Sequence, residues 1–343
     1  MKRLNWIYLP LLLMVGACAT STPVGVVSGS RRPSWMDNPQ HKYPFRYFIA
    51  AVGEGDTLSD SQSAAAGNLA KVFKSEIDVE ENLQERYFEL MGDKNSYQEQ
   101  AQFNRNVRIN SAMSLVNVRY AESYKDETGR IYSLAFINRA KTAEIYTTRL
   151  KENDARTVDF VERSKGAVPS VTYAALSAAV AISADSRLLL EQLDIISPTA
   201  KKSIRMTYEH DDLTGRLAEA AAGVHFSVQV SNDRDGKISG ALESLVTGMG
   251  FVIDEKSELK IKGTVAFEDT DLKRGDLSFV RYEAKLDLVD IGGQTVVSVS
   301  KRGREGHVSQ VEAQARCVRT IVSLIDRDFR IRMQNYFDGL VNR

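Results

Sequence analysis

The chain has 343 residues, 43% hydrophobic and 26% charged, which suits two ordinary domains with real cores and excludes a chain disordered throughout. Lys plus Arg equals Asp plus Glu at 45 each, so no global field steers nucleic acid or acidic lipid, and no nucleic-acid partner is expected. The two cysteines, Cys18 and Cys317, and four scattered histidines, His41, His210, His225 and His307, make no zinc-spaced cluster, so no disulfide, metal or cofactor is expected.

The N-terminal segment has three parts. Lys2 and Arg3 give a positive start, Trp6 to Val15 form an apolar run, and Gly16 and Ala17 are small. This is the layout of a secretory signal peptide over residues 1–17. The run is too short to span a bilayer, which takes about 20 apolar residues. Pro10 also interrupts a continuous helix. Val15-Gly16-Ala17-Cys18 resembles the bacterial lipobox. That resemblance implies cleavage before Cys18, a diacylglycerol thioether on its sulfur and acylation, by palmitate for example, of the freed amine. Each buried CH₂ contributes about 0.8 kcal/mol, so two or three acyl chains hold a protein on a bilayer. Residues 18–32 are rich in Ser, Thr, Gly and Pro, the composition of a lipidated tether. Ala19 follows the cysteine where an Asp would favour inner-membrane retention, which implies the outer membrane.

A first α+β module is expected over residues 33–150. Tyr47 to Val52 is an apolar run ending in Gly53-x-Gly55, read as a buried strand and a turn. Asp56 or Thr57 is placed to cap the alanine-rich helix that follows. Ile77 and Val79 alternate as in a strand, and residues 84–106 read as an exposed polar lobe. VNVRYAESY, DETG and RIYSLAFIN form a strand, turn and strand. In the next helix Ala143, Ile145, Tyr146 and Leu150 are expected near one face. A helical connector over 151–223 centres on a helix started by Pro169 and stopped by Pro198.

A second α+β module is expected over 224–343. HFSVQVS and LKIKGTVAFED alternate as strands, with KISGALESLVTGMG as a helix between them. SFVRYEAKLDLVDI, GG and QTVVSVSKRG form a hairpin. A long C-terminal helix closes the chain, its seam expected along Val311, Ala315, Val318, Val322, Ile325, Phe329 and Tyr336, with Cys317 beside it. The fold class is therefore α+β, two mainly antiparallel sheets packed with helices, because hairpins outnumber crossovers.

RPSWMDNP followed by YFIAAVGEGDTLSDSQSAAAGNLAKVF resembles the twenty-kilodalton lipoprotein family of bacterial envelopes, through Pro33, Trp35, Val52, Gly53, Ala64, Ala65 and Ala70. It is also similar to the N-terminal part of a flagellar assembly protein of T type. The order of elements in the second module is similar to that of penicillin-binding-protein-activating and curli-secretion lipoproteins. These resemblances imply envelope anchoring and partner binding, and no reaction.

Residue patterns that hint at chemistry have plainer readings. Gly53-x-Gly55 lacks the third Rossmann glycine and the Gly-Lys-Ser/Thr of a P-loop. Arg304, Glu305 and His307 precede a helix and read as a cap with a salt bridge. Glu209 to Asp212 reads as a solvated helix start, and Trp35 as packed on the first sheet rather than as a sugar platform. The expected function is a non-enzymatic lipoprotein, held by Cys18 on the outer membrane facing the periplasm. Its partners are membrane lipid and envelope proteins of cell-wall or flagellar assembly. The rival readings are a surface antigen or adhesin and an envelope hydrolase.

Overall fold

The computed structural model describes residues 26–28, 32–77, 117–233, 235–274 and 276–341. The expected signal peptide, the lipobox-like Val15, Gly16 and Ala17, Cys18 as the expected site of lipid, most of the expected tether and the expected lobe at 84–106 lie outside these residues. The chain divides into two compact units: among the described residues, 26–45, 50–69 and 118–136 make the first, and 137–341 with 46–49 the bulk of the second. The fold is α+β with two mostly antiparallel sheets and a long C-terminal helix.

The first sheet runs β1-β3-β4-β2. Its strands are β1 (Val26–Ser28), β2 (Phe48–Gly55), β3 (Arg119–Lys125) and β4 (Ile131–Asn138). β3 and β4 are antiparallel, whereas β1 pairs with β3 in parallel. The Asp126 carboxylate closes the β3–β4 turn by accepting from the Thr128 and Arg130 amides at 3.0 and 2.9 Å, and Gly129 supplies a φ of 91°. Helix α1 (Leu58–Ile77) starts at a reciprocal cap: the Asp60 amide donates to Thr57 Oγ1 at 3.1 Å, and that hydroxyl donates to Asp60 Oδ2 at 2.7 Å.

Gly53 and Gly55 are strand residues that admit α1, not a turn. A Cβ on Gly53 would lie 2.0 Å from the Ala65 amide nitrogen, and one on Gly55 2.5 Å from that of Ser61. The backbones therefore meet directly. Ile77 ends α1 and does not begin a strand. Val79, the other residue of that alternation, lies outside the described residues.

The second unit begins with α2 (Arg139–Ser164) and α3 (Pro169–Ile196). Asn138 caps α2 by accepting from the Lys141 amide at 3.0 Å. α4 (Pro198–Ser203) and α5 (His210–Ala222) follow. The second sheet has the order β6-β5-β7-β8-β9. Its strands are β5 (His225–Ser231), β6 (Val252–Ile253), β7 (Leu259–Arg274), β8 (Leu277–Val289) and β9 (Thr295–His307). β7, β8 and β9 form an antiparallel meander. β5 joins β6 and β7 in parallel, after the crossover helix α6 (Lys237–Gly248). Residues of the expected connector, among them Val161, Tyr173, Leu176, Leu213 and Leu217, share one hydrophobic core with this sheet.

The closing helix is α7 (Gln310–Leu324), a π-helical turn (Ile325–Phe329) and α8 (Arg330–Val341). Its buried seam corrects the expected one. Ala313, Cys317, Ile321, Ile325, Phe329, Met333 and Phe337 are buried, while Val311 is 79% exposed. Steps of four residues advance a helix face by about 40° each, so the seam would wander away from the core. The wide turn accommodates an extra residue and swings the face back. Cys317 therefore lies in the seam, its Sγ 3.6 Å from the Val280 carbonyl.

Candidate functional site

The groove along α2 and α3 is the candidate site. It encloses about 870 Å³, within the usual range for ligand pockets. α3 lines it with Ala178, Ala181, Ile182 and Asp185, and α2 with Ile145, Arg149, Glu152, Asn153, Arg156 and Phe160. Alanines on α3 leave the space, since their side chains end at Cβ.

A polar clamp fixes the groove's shape. Asn153 is buried, and its Nδ2 donates to Asp185 Oδ2 at 3.0 Å and to Ser186 Oγ at 3.2 Å. Arg149 reaches the same carboxylate at 3.3 Å. One turn away, Tyr146 Oη donates to Gln192 Oε1 at 2.7 Å. The groove thus has an apolar floor and charged rims of both signs, an arrangement suited to holding an amphipathic surface. Thr148 is the one hydroxyl in its lining, and no histidine or cysteine accompanies it. The expectation for Ile145 was the core face. It is 40% exposed and lines the groove, because a helix turns about 100° between it and the buried Tyr146.

The other residues singled out in the sequence do not converge. Arg304 stacks over the Phe279 ring at 5.6 Å, Glu305 accepts from Thr320 Oγ1 at 3.0 Å, and His307 Nδ1 accepts from the Ser309 amide at 3.2 Å. No salt bridge joins the three; on β9 Arg304 points to one face of the sheet and Glu305 and His307 to the other. Glu209 is the N-cap of α5, with Asp211 and Asp212 in its first turn and Asp212 3.1 Å from Arg216. Trp35 is buried with Tyr124 and Leu134 in the first unit.

Two pairings escaped the sequence reading. Ser183 Oγ lies 2.8 Å from His210 Nδ1 and 2.9 Å from the Val180 carbonyl. His225 Nδ1 lies 3.1 Å from Asp254. The Lys256 amide, followed by His225, holds the Asp254 carboxyl below its usual range. Burial pushes the Cys317 thiol up to about 11, so the thiolate that would react is not formed at neutral pH. Among the described residues, no three His, Cys, Asp or Glu side chains are grouped to hold a metal ion.

α3 is long and apolar enough to cross a membrane by length and composition. In this fold Tyr173, Leu176, Ala179 and Leu193 are among its buried residues.

No protein-family model matches the chain, and no curated protein matches it in sequence. Among solved structures it is similar to a secreted protein of Helicobacter pylori, with 15% identity and a TM-score of 0.45, covering 82% of this chain and 98% of that one. It is also similar to a minor lipoprotein of Acinetobacter baumannii, with 10% identity and a TM-score of 0.22, covering 34% of this chain and 90% of that one. A lipoprotein of Neisseria meningitidis shows 15% identity and a TM-score of 0.22, covering 30% and 97%. These TM-scores lie below 0.5 and carry no argument about what the chain does.

Proposed function

We propose that this chain is a bacterial envelope lipoprotein, anchored through Cys18, that works by binding other envelope proteins rather than by catalysis. The observation that carries the reading is Val15-Gly16-Ala17-Cys18, set between an apolar run with a basic start and a tether rich in Ser, Thr, Gly and Pro. The anchor fixes the place of action, and Ala19 favours the outer membrane with the folded units in the periplasm. The groove between α2 and α3 supports the binding role, since its lining offers contact area and charge but no nucleophile with a base. The partners belong to cell-wall or flagellar assembly.

The test is metabolic labelling with a palmitate analogue, followed by fractionation. The wild-type chain takes up label and sediments with outer membrane. The Cys18→Ala chain takes up none and stays at higher mass, with its leader attached. An unlabelled wild-type chain overturns the anchor. Cross-linking in living cells then tests the binding role: cell-wall or flagellar proteins recovered with wild type and lost with Cys18→Ala are the expected result.

A further inference from the structure

The second sheet has two unlike edges. β6, at one edge, is two residues long (Val252–Ile253). β9, at the other, runs for 13 residues (Thr295–His307). Among the described residues, β9 has backbone ladder partners on β8 alone. A long edge strand presents a row of unsatisfied N–H and C=O groups, and proteins usually blunt such edges with charge or cover. Only the far half of β9 is blunted so. Lys301, Arg302 and Arg304 lie there, and Arg316 covers the Gly306 carbonyl at 3.1 Å. The near half, Thr295-Val296-Val297-Ser298-Val299-Ser300, has no charge and is mostly β-branched, the composition that pairs most readily.

The geometry points to a second copy of this chain as the occupant of this edge, paired antiparallel with its own β9 about a two-fold axis at Ser298. In that register Val297 meets Val299 of the other copy, Val296 meets Ser300 and Thr295 meets Lys301. β-branched pairs then face each other across the new ladder, and no like charges do. The two Arg302 side chains stay roughly 25 Å apart along the strands, at about 3.3 Å per residue. Centring the pair on Arg302 instead would set one guanidinium against the other. Charge therefore excludes the far half, the match of Val297 with Val299 favours Ser298 as the centre, and an isologous contact of this kind closes on itself. The inference stands whether or not Cys18 carries lipid.

The test uses the full-length chain in detergent, with its mass measured by density-matched sedimentation. Wild type gives two copies per particle. Ser298→Lys places two like charges at the axis, Ser300→Lys sets an ammonium opposite Val296 of the other copy, and each halves the mass while the chain still melts cooperatively. Gln229→Lys, on the exposed face of β5 inside the sheet, leaves the doubled mass intact. In cells, Ser298→Cys cross-links two copies on mild oxidation. Thr295→Cys cross-links only when co-expressed with Lys301→Cys. A single copy at every concentration overturns the inference. So does a doubled mass that survives both lysine variants, or Ser298→Cys cross-linked to a different protein.

Discussion

In the first unit α1 lies on glycine; in the second α7 lies on the side chains of β8 and β9, Val280 among them. Gly53 and Gly55 let two backbones touch, with Ala65 and Ser61 as the opposing residues. Between that helix and its sheet, Ser133 Oγ lies 2.7 Å from Ser61 Oγ and 2.9 Å from Ser123 Oγ, a buried chain of hydroxyls. The α7 seam instead interdigitates full side chains, with Cys317, Ile321 and Phe329 at 0% exposure. Glycine occurs there too, but Gly303 faces the Tyr282 ring rather than a backbone. Contact between backbones has no degree of freedom to absorb an added atom, whereas contact between side chains has rotamers to spend.

The sharpest way to break this comparison is Gly53→Ala. Its Cβ meets the main chain of Ala64 and Ala65, so the cost should exceed about 4 kcal/mol, the range of exceptional single changes. Limited proteolysis should then open the first unit and spare the second. Phe329→Ala attacks the other side by removal rather than addition. It should cost about 3–5 kcal/mol in urea unfolding. Gly303→Ala tests the comparison directly. Its Cβ falls 2.5 to 2.7 Å from Oη and two ring carbons of Tyr282, a buried side chain that must shift where a backbone could not. The expected loss is about 1–3 kcal/mol, and a loss equal to that of Gly53→Ala would remove the distinction.

The smallest effect is one of pH, at Asp338 on α8. Burial pushes its carboxyl up from 3.8 to about 7. Between those values the folded chain keeps a proton that the unfolded chain has released. Stability from this group therefore falls as pH rises from about 4 to about 7, and is level outside that window. Wild type should melt higher at pH 5 than at pH 8, and Asp338→Asn should lose that part of the difference. A wild-type melting point that Asp338→Asn leaves equally pH-dependent would sink the assignment.

Much of the second unit was legible because its signals are local. Period-two alternation marked β5, β7, β8 and β9, and prolines marked both ends of α3. What was hidden depends on distance in sequence. The seam was misread at its start, because Val311 in the first turn of α7 is 79% exposed and Ala313, two residues on, is the buried one. Gly53 and Gly55 signal a special backbone but not its partner, which lies in the next element. β5 looks like any half-buried strand, and its parallel pairing is set by the α6 crossover. The lipobox-like stretch Val15 to Cys18 is a reading of the sequence alone and lies outside the described residues. The groove was not legible, since Ala178 and Ala181 matter for the volume they leave empty.

The wide turn at Ile325–Phe329 also has a mechanical meaning. It keeps a single rod unbroken while the rod changes its neighbour, from the β8–β9 face beneath α7 to α3 beneath α8. A loop at that place would let the two grips swing independently. A continuous rod transmits torque, so a twist imposed along β9 would be felt by α3 as rotation rather than lost as slack. α3 forms one wall of the groove. The rod thus joins the sheet to the helix that walls the groove.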